Sequence, residues 1–405
     1  MSGFARLLLA EGEPAALAAQ LLQGWAQGAV LAVAAPQERT LLEAALPQRW
    51  PAGLAADLGA AVVLGTGGSS GGRGWCLQPL QGLQASAQAC GSWLRGLGFD
   101  PPATQLFNPL PLHHISGLMP LLRSEAWGAE HRWLTPALMR DPVRLLAEAT
   151  PAPDRPALLS LVPTQLQRLI ESAEGQRWLA GFALIWVGGA ALPPALAQRC
   201  RQQGLRLAPC YGSTETGAMV TALAPQAFLA GAAGCGPALP HAQLRLAADG
   251  ALEIRASSLA AGCLVAGRLV PLPLRGGWWP SGDRAAFTPE GLQWCGRLDG
   301  AISSGGETVF PEQVQAQLLE RAAAAGLQLE ALLVLPEADP LWGARLVALV
   351  RPQPGPALLH RLEALARELP PSQRPRRWLL CPELAPTAAG KWDRSRWRAW
   401  VAQQP

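Results

Sequence analysis

Short apolar runs separated by helical patterns dominate the middle of the chain. Ala157 to Val162, apolar except for Ser160, reads as a buried strand. Pro163-Thr164 then opens a helix carrying Leu166, Leu169 and Ile170 on one face. Ala183 to Val187 repeats the run and stops at Gly188-Gly189. Pro193-Pro194 starts a second helix, which Gly204 is placed to end. Leu205 to Cys210 is a third run, leading into Tyr211-Gly212. Strand, helix, strand, helix, strand predicts a parallel sheet, with ligands bound beyond the carboxyl ends of its strands.

From residue 241 the period changes. Gln243 to Leu246, Asp249-Gly250 and Leu252 to Ile254 read as a β-hairpin with one alternating face. This predicts a small β subdomain over 241–298. After Asp299 the pattern predicts a loop, a helix from Pro311 to Ala325, strands near Leu332 and Leu346, and a helix from Pro356 to Leu369. The expected fold class is α/β. A large N-terminal domain (1–298) would combine parallel-sheet α/β subdomains with the small β subdomain, and a mobile α+β C-terminal domain (299–405) would follow.

Composition narrows the function classes. The 405 residues are 49% hydrophobic and 15% charged, which describes a globular chain rather than a disordered one. A net charge of +4 does not argue for nucleic acid or a membrane surface. The arginine- and tryptophan-rich end (Arg374, Arg376, Arg377, Arg394, Arg396, Arg398 with Trp392, Trp397, Trp400) reads as a solvated face with packed rings. Eight cysteines without a C-x-x-C pair read as reduced, mostly buried thiols in a cytoplasmic protein. The N-terminal apolar patch is broken by Glu11 and Glu13, so no signal peptide is expected. The longest apolar stretch, Gly181 to Ala197, contains Gly188-Gly189 and Pro193-Pro194, so no membrane span is expected either. Oligomeric state is not legible.

Of 33 basic residues a single one is lysine, Lys391, and Tyr211 is the single tyrosine. Lysine is a compact point charge and arginine a planar fork, so a chain that otherwise uses arginine would keep lysine where a fork cannot serve.

Three segments carry candidate chemistry. Gly65 to Gly74, including Thr66, Gly68, Ser69, Ser70, Gly71 and Arg73, follows the apolar run Ala60 to Leu64. It is either a phosphate cradle of backbone N–H groups or a plain Gly/Ser connection, and it lacks the Gly-Lys-Ser/Thr of a Walker A loop. Tyr211-Gly212-Ser213-Thr214-Glu215-Thr216 offers an aromatic face, a hydroxyl and a carboxylate at a strand end, or else an ordinary turn. Ser281-Gly282-Asp283 and Gly296-Arg297-Leu298-Asp299 offer a carboxylate and a guanidinium suited to ribose and phosphate, or two turns with a surface ion pair.

In order along the chain, these segments resemble the signature of the acyl-adenylate-forming superfamily: acyl-CoA synthetases, luciferases and peptide-synthetase adenylation domains. Ser304-Gly305-Gly306-Glu307 through Val314 and Pro386 to Lys391 complete the set. Within the superfamily, Leu110 to Leu118, Ser160 to Leu166 and Val187 to Ala190 resemble the 2-succinylbenzoate–CoA ligases. The resemblance implies ATP, Mg²⁺ and CoA as partners of a small carboxylic acid, and neither a nucleic-acid partner nor a membrane span is expected. It implies that Thr214 contacts the α-phosphate, Glu215 holds Mg²⁺, Tyr211 stacks on adenine, and Asp283 and Arg297 bind ribose. Asp299 would be the hinge, Gly305-Gly306 would guide the pantetheine arm, and Lys391 would drive adenylation. His114 would gate the acyl pocket beside Gly188-Gly189, unless it is a core histidine bonded to a carbonyl. Arg123 and Arg168 lie near the pocket motifs.

The chain departs from the pattern in three places. The phosphate loop is one residue short, lacks its proline and has Arg73 where lysine is usual. Few residues precede that loop, and Gly300 follows the hinge. An adenylating enzyme for another acid, or a non-catalytic nucleotide-binding relative, would share most of these motifs.

Overall fold

The computed structural model describes residues 5–47, 58–66, 74–304, 306–327, 329–351, 358–387 and 391–404, with only the backbone of Asp299 and Thr308. Its strands are β1 (Arg6–Leu9), β2 (Val30–Ala34), β3 (Ala61–Thr66), β4 (Gly74–Pro79), β5 (Gln105–Asn108), β6 (Glu130–Trp133) and β7 (Ala157–Leu161). They continue with β8 (Leu184–Val187), β9 (Leu207–Ser213), β10 (Ala218–Ala222), β11 (Ala242–Leu246), β12 (Ala251–Ala256), β13 (Gly262–Val265) and β14 (Arg268–Pro271). The last are β15 (Trp279–Thr288), β16 (Gly291–Arg297), β17 (Ile302–Ser304), β18 (Glu307–Val309), β19 (Ala331–Asp339), β20 (Gly343–Arg351) and β21 (Pro375–Leu380).

Four sheets result. The first has the order β1-β2-β3-β4-β13-β14, parallel through β3 and antiparallel beyond it. The second, β10-β9-β8-β7-β5-β6, is parallel except for β10 at its edge. A four-stranded antiparallel sheet, β11-β12-β15-β16, follows. The C-terminal sheet runs β18-β17-β20-β19, with β21 parallel to β20.

The continuous apolar runs of the second sheet follow from burial on both faces. Leu159, Leu161, Ile185 and Val187 pack into one core, whereas Leu158, Leu184 and Trp186 on the opposite face pack into another. Helices Leu80–Gly96 and Ile115–Trp127 lie between the first two sheets. Leu83, Leu118 and Leu122 meet Leu31 and Val33, while Cys90, Leu94 and Trp127 meet Leu158 and Trp186. Trp127 Nε1 donates to Ala87 O across the helix pair at 2.9 Å.

The strand–helix alternation over 157–213 is as expected, except that a second helix, Ala173–Ala180, follows Pro163–Leu169 and β9 runs on through Tyr211 to Ser213. Gly181 to Ala197 divides into β8, a turn and the start of helix Pro194–Gln202, and no helix among the described residues is long and apolar enough to cross a membrane. Within 241–298 the structure differs from the expectation of one β unit. β13 and β14 leave the small sheet and extend the first one, β13 pairing with β4. The two short apolar strands of Gly262–Pro271 carry no information about which strand they pair with. The last predicted helices appear as Pro311–Ala324 and Leu358–Ala366. All eight cysteines are free thiols, four buried and four half-buried.

Candidate active site

Residues Thr214–Gly217 form a turn between β9 and the antiparallel β10. Gly212 is required there by close approach, because a Cβ on it would lie 2.0 Å from Ala218 O. The turn is fixed by side chains from three other segments. Gln78 of β4, fully buried, donates through Nε2 to Thr214 O. Ser86 of helix Leu80–Gly96 donates to Gly217 O at 3.1 Å, and Ser258 donates to Thr216 O at 2.6 Å. Ala260 N donates to Glu215 O at 2.8 Å. Thr216 Oγ1 accepts from Ser213 N at 2.8 Å, closing the turn from within.

Two site residues, Thr214 and Glu215, sit on this frame. Thr214 is 8% exposed, and its hydroxyl donates to Gly65 O at 3.4 Å, joining the turn to the end of β3. Thr66 and Gly74 are paired across the β3–β4 hairpin, so the Gly/Ser segment is the connection of that hairpin. Gly68, Ser69, Ser70, Gly71 and Arg73 lie outside the described residues. Glu215 is half-buried and carries a hard oxygen donor set. Among the described residues no cation forms a salt bridge with it, so a Mg²⁺ ion fits its carboxylate.

Tyr211 and the third sheet meet directly. The phenol donates to Asp283 Oδ2 at 2.5 Å, and Asp283 N donates to Ser281 Oγ at 3.1 Å. Asp283 faces Arg297 in the β15–β16 register, with Arg297 Nη1 3.6 Å from Asp283 Oδ1 and 3.3 Å from Ser281 O. Burial, followed by the charge and hydrogen bond of Asp283, holds the Tyr211 phenol well above its ordinary range. At neutral pH it stays protonated and donates to Asp283. The expected trio of Tyr211, Asp283 and Arg297 is thus brought together.

His114 is the N-cap of helix Ile115–Trp127 and is half-buried, its ring 4.4 Å from that of His113. It is therefore not a core histidine. Asn108, 1% exposed, fixes this helix start by donating to Gly117 O at 2.8 Å and accepting from Leu110 N at 3.1 Å. Gly188 follows β8, where a Cβ would come within 2.8 Å of Cys210 Sγ, and Gly189 follows it. Arg123 is 4% exposed, with its guanidinium 4.9 Å from the Trp186 ring centroid, whereas Arg168 is exposed.

The remaining motif residues belong to the C-terminal part. Asp299 lies in the single 3₁₀ turn Leu298–Gly300 between β16 and β17. Gly305 lies outside the described residues, and Gly306 has open space around it. Lys391 is exposed. Its carbonyl accepts from Thr387 N at 2.8 Å and its N–H donates to Thr387 Oγ1 at 3.3 Å. It lies beyond β21, in the unit whose sheet shares no strand with the sheet of Tyr211.

Sequence reasoning missed Gln78, Ser86 and Ser258, which hold the turn. Gln78 carried a usable signal, a polar residue inside the apolar strand Gly74–Pro79. The other two are serines in unremarkable contexts.

Known proteins place this arrangement. The family model described as AMP-binding enzyme matches residues 30–258. The 2-succinylbenzoate–CoA ligase of Salmonella typhimurium is 32% identical over 345 residues, 84% of this chain and 68% of that protein. The Escherichia coli ligase of the same name is 33% identical over 302 residues, 73% of this chain and 60% of that protein. The structure of wild-type Escherichia coli MenE with a bound phenylether-linked analogue of OSB-AMS superposes with a TM-score of 0.71 at 27% identity, over 100% of this chain and 89% of that one. With its strand-end turn, its tyrosine–aspartate pair and a match over more than half its length, the chain belongs to the AMP-binding enzyme family.

Proposed function

We infer that the protein is an AMP-forming acid–CoA ligase acting on 2-succinylbenzoate, in the synthesis of menaquinone or phylloquinone. ATP and CoA are its co-substrates and Mg²⁺ its metal. The observation that carries this reading is the convergence of Thr214, bonded to Gly65 at the base of the Gly/Ser hairpin, with the Tyr211–Asp283 pair on the adjoining strand. The relatives named 2-succinylbenzoate–CoA ligase support the choice of acid.

The reaction has two steps. The substrate carboxylate attacks the α-phosphorus of ATP and pyrophosphate leaves. The CoA thiol then attacks the acyl carbon and AMP leaves. Catalysis rests on positioning and on stabilising charge at an in-line phosphoryl centre. In this reading Thr214 donates to the α-phosphate, with the Gly/Ser hairpin connection over the outer phosphates. Tyr211 presents its ring to adenine, and Asp283 with Arg297 takes the ribose hydroxyls. Glu215 would hold Mg²⁺, which offsets phosphate charge when bound. His114 and Gly188-Gly189 border the acyl group. Lys391 bridges the substrate carboxylate and α-phosphate as a point charge.

We read 1–298 and 299–405 as two domains pivoting at Asp299, with rotation withdrawing Lys391 and bringing Gly305-Gly306 to the CoA thiol. The start of a separate sheet at β17 supports that division. We also place the reaction in the cytoplasm, a reading favoured by the free thiols and by ATP and CoA as co-substrates.

ATP–pyrophosphate exchange over a panel of acids tests the proposal. Exchange with 2-succinylbenzoate well above exchange with aryl, fatty and amino acids is expected. Equal exchange with another acid would reassign the substrate, and no exchange with any acid would reduce the protein to a nucleotide-binding relative.

A further inference from the structure

Beside Glu215 the structure holds a feature that adenylation does not use. Cys76 of β4 and Cys263 of β13 are direct cross-strand partners, and their sulfurs stand 3.6 Å apart. An oxygen of Glu215 and both sulfurs all lie within 4.8 Å of one another, the single cluster of this kind among the described residues.

We propose that Cys76, Cys263 and Glu215 form a binding site for one thiophilic divalent cation of the zinc class. Two sulfurs bound to zinc at about 2.3 Å, at a tetrahedral angle, are separated by about 3.8 Å, close to the spacing found here. A disulfide needs its sulfurs at about 2.05 Å, so the pair must close substantially to form one. Sulfur ligands select a soft ion over Mg²⁺, which takes oxygen. Three protein ligands leave a fourth position, on the side where Cys263 and Glu215 are partly exposed.

The three ligands are also mutually braced. Two residues after Cys76, Gln78 holds Thr214 O; three residues before Cys263, Ala260 N holds Glu215 O. Each thiol-bearing segment thus fixes the backbone next to the carboxylate, as a site that orients its ligands requires.

One consequence rests on the reading of Glu215 as the Mg²⁺ ligand. A zinc-class ion there would occupy that carboxylate and inhibit exchange, whereas binding itself is independent of that reading.

The full chain, reduced and freed of metal, is titrated with Co²⁺ as a spectroscopic stand-in and then with Zn²⁺ in competition. A thiolate-to-cobalt charge-transfer band saturating at one ion per chain is expected. Cys263→Ser, with Cys263→Ala as a second variant in case the first misfolds, should lose the band. Residues that merely orient a ligand are worth about 10- to 100-fold in metal affinity, so loss of a ligand should weaken zinc binding by more than about a hundredfold. Cys295→Ser should bind like the unaltered chain. Absence of the band in the unaltered chain, a band surviving in both Cys263 variants, or loss of two titratable thiols to a disulfide before any metal is added would overturn the proposal. Zinc inhibition of exchange that is relieved by Cys263→Ser supports the site. A cobalt band with exchange untouched by zinc would leave the site standing and remove Glu215 from Mg²⁺ binding.

Discussion

The turn bearing Thr214 and Glu215 and the loop bearing Lys391 are held in opposite ways. Gln78, Ser86 and Ser258, from three separate stretches of chain, each donate a buried hydrogen bond to the turn. The lysine's backbone is bracketed on both sides by Thr387, four residues away. The first arrangement costs ordering entropy once, during folding, and presents a fixed contact. The second is local, and under the proposed pivot at Asp299 it would travel as a piece with the sheet that carries it. Groups needed in both half-reactions belong in the first kind of frame, and a group needed in only one belongs in the second.

The strongest break in that contrast is Lys391→Ala. Pyrophosphate release should fall by about a hundredfold or more, the scale of losing one charge-stabilising group. Thioester formation from supplied acyl-adenylate should persist. Rapid-quench measurement of each half-reaction checks this, and loss of both halves would end the one-step assignment. Lys391→Arg sharpens it, since near-normal adenylation would mean that a fork serves as well as a point charge.

On the fixed side, Tyr211→Phe removes the donor to the Asp283 carboxylate. Hydrogen bonds to charged groups are worth about 1.5–3 kcal/mol, so the KM for ATP should rise by about tenfold or more while the second half-reaction is little changed. Steady-state kinetics of the two halves would reveal the difference.

Acid should weaken the fixed side next. Burial depresses His131 to about 4, and burial with Arg123 nearby depresses His241 to about 4. A depressed pKa means that the unfolded chain binds more protons in this window. The contribution is therefore complete above pH 6.5 and lost as pH falls toward 4, with a slope of at most about 1.4 kcal/mol per pH unit for each group. Denaturant midpoints measured from pH 7 to 4 should decline, and His241→Gln should flatten the decline.

The smallest expected effect is Ser258→Ala, which leaves Thr216 O without its donor. It should cost about 1 kcal/mol. The unfolding midpoint should drop by about 2 °C in a thermal melt, with exchange activity reduced only modestly.

Part of the site was legible from sequence because Tyr211 and Thr214 come where the apolar run of β9 gives way to polar residues. Asp283, midway along β15, was legible instead from its Ser-Gly-Asp signal, and the structure joins Tyr211 to Asp283 and Thr214 to Gly65. What holds them was not legible. A serine that donates to a carbonyl 131 residues away, as Ser86 does, carries no local signature. The Cys76–Cys263 pair was passed over for a related reason. Spacing rules look for nearby cysteines, and strand pairing brings these together across 187 residues. The same limit explains why the hairpin 262–271 was counted with the β subdomain: nothing in that segment names its partner strand.

That hairpin bears on how the protein is made. β4 is synthesised early with β3 on one side, and its other edge waits for β13. Until residue 271 has emerged, the nascent first sheet presents a strand containing Trp75 and Leu77 with an unpaired edge, a surface prone to pairing with another chain. A fragment ending at 258, where the family match stops, would keep that edge permanently. The last stitch of the first sheet is thus sewn from the far side of the second.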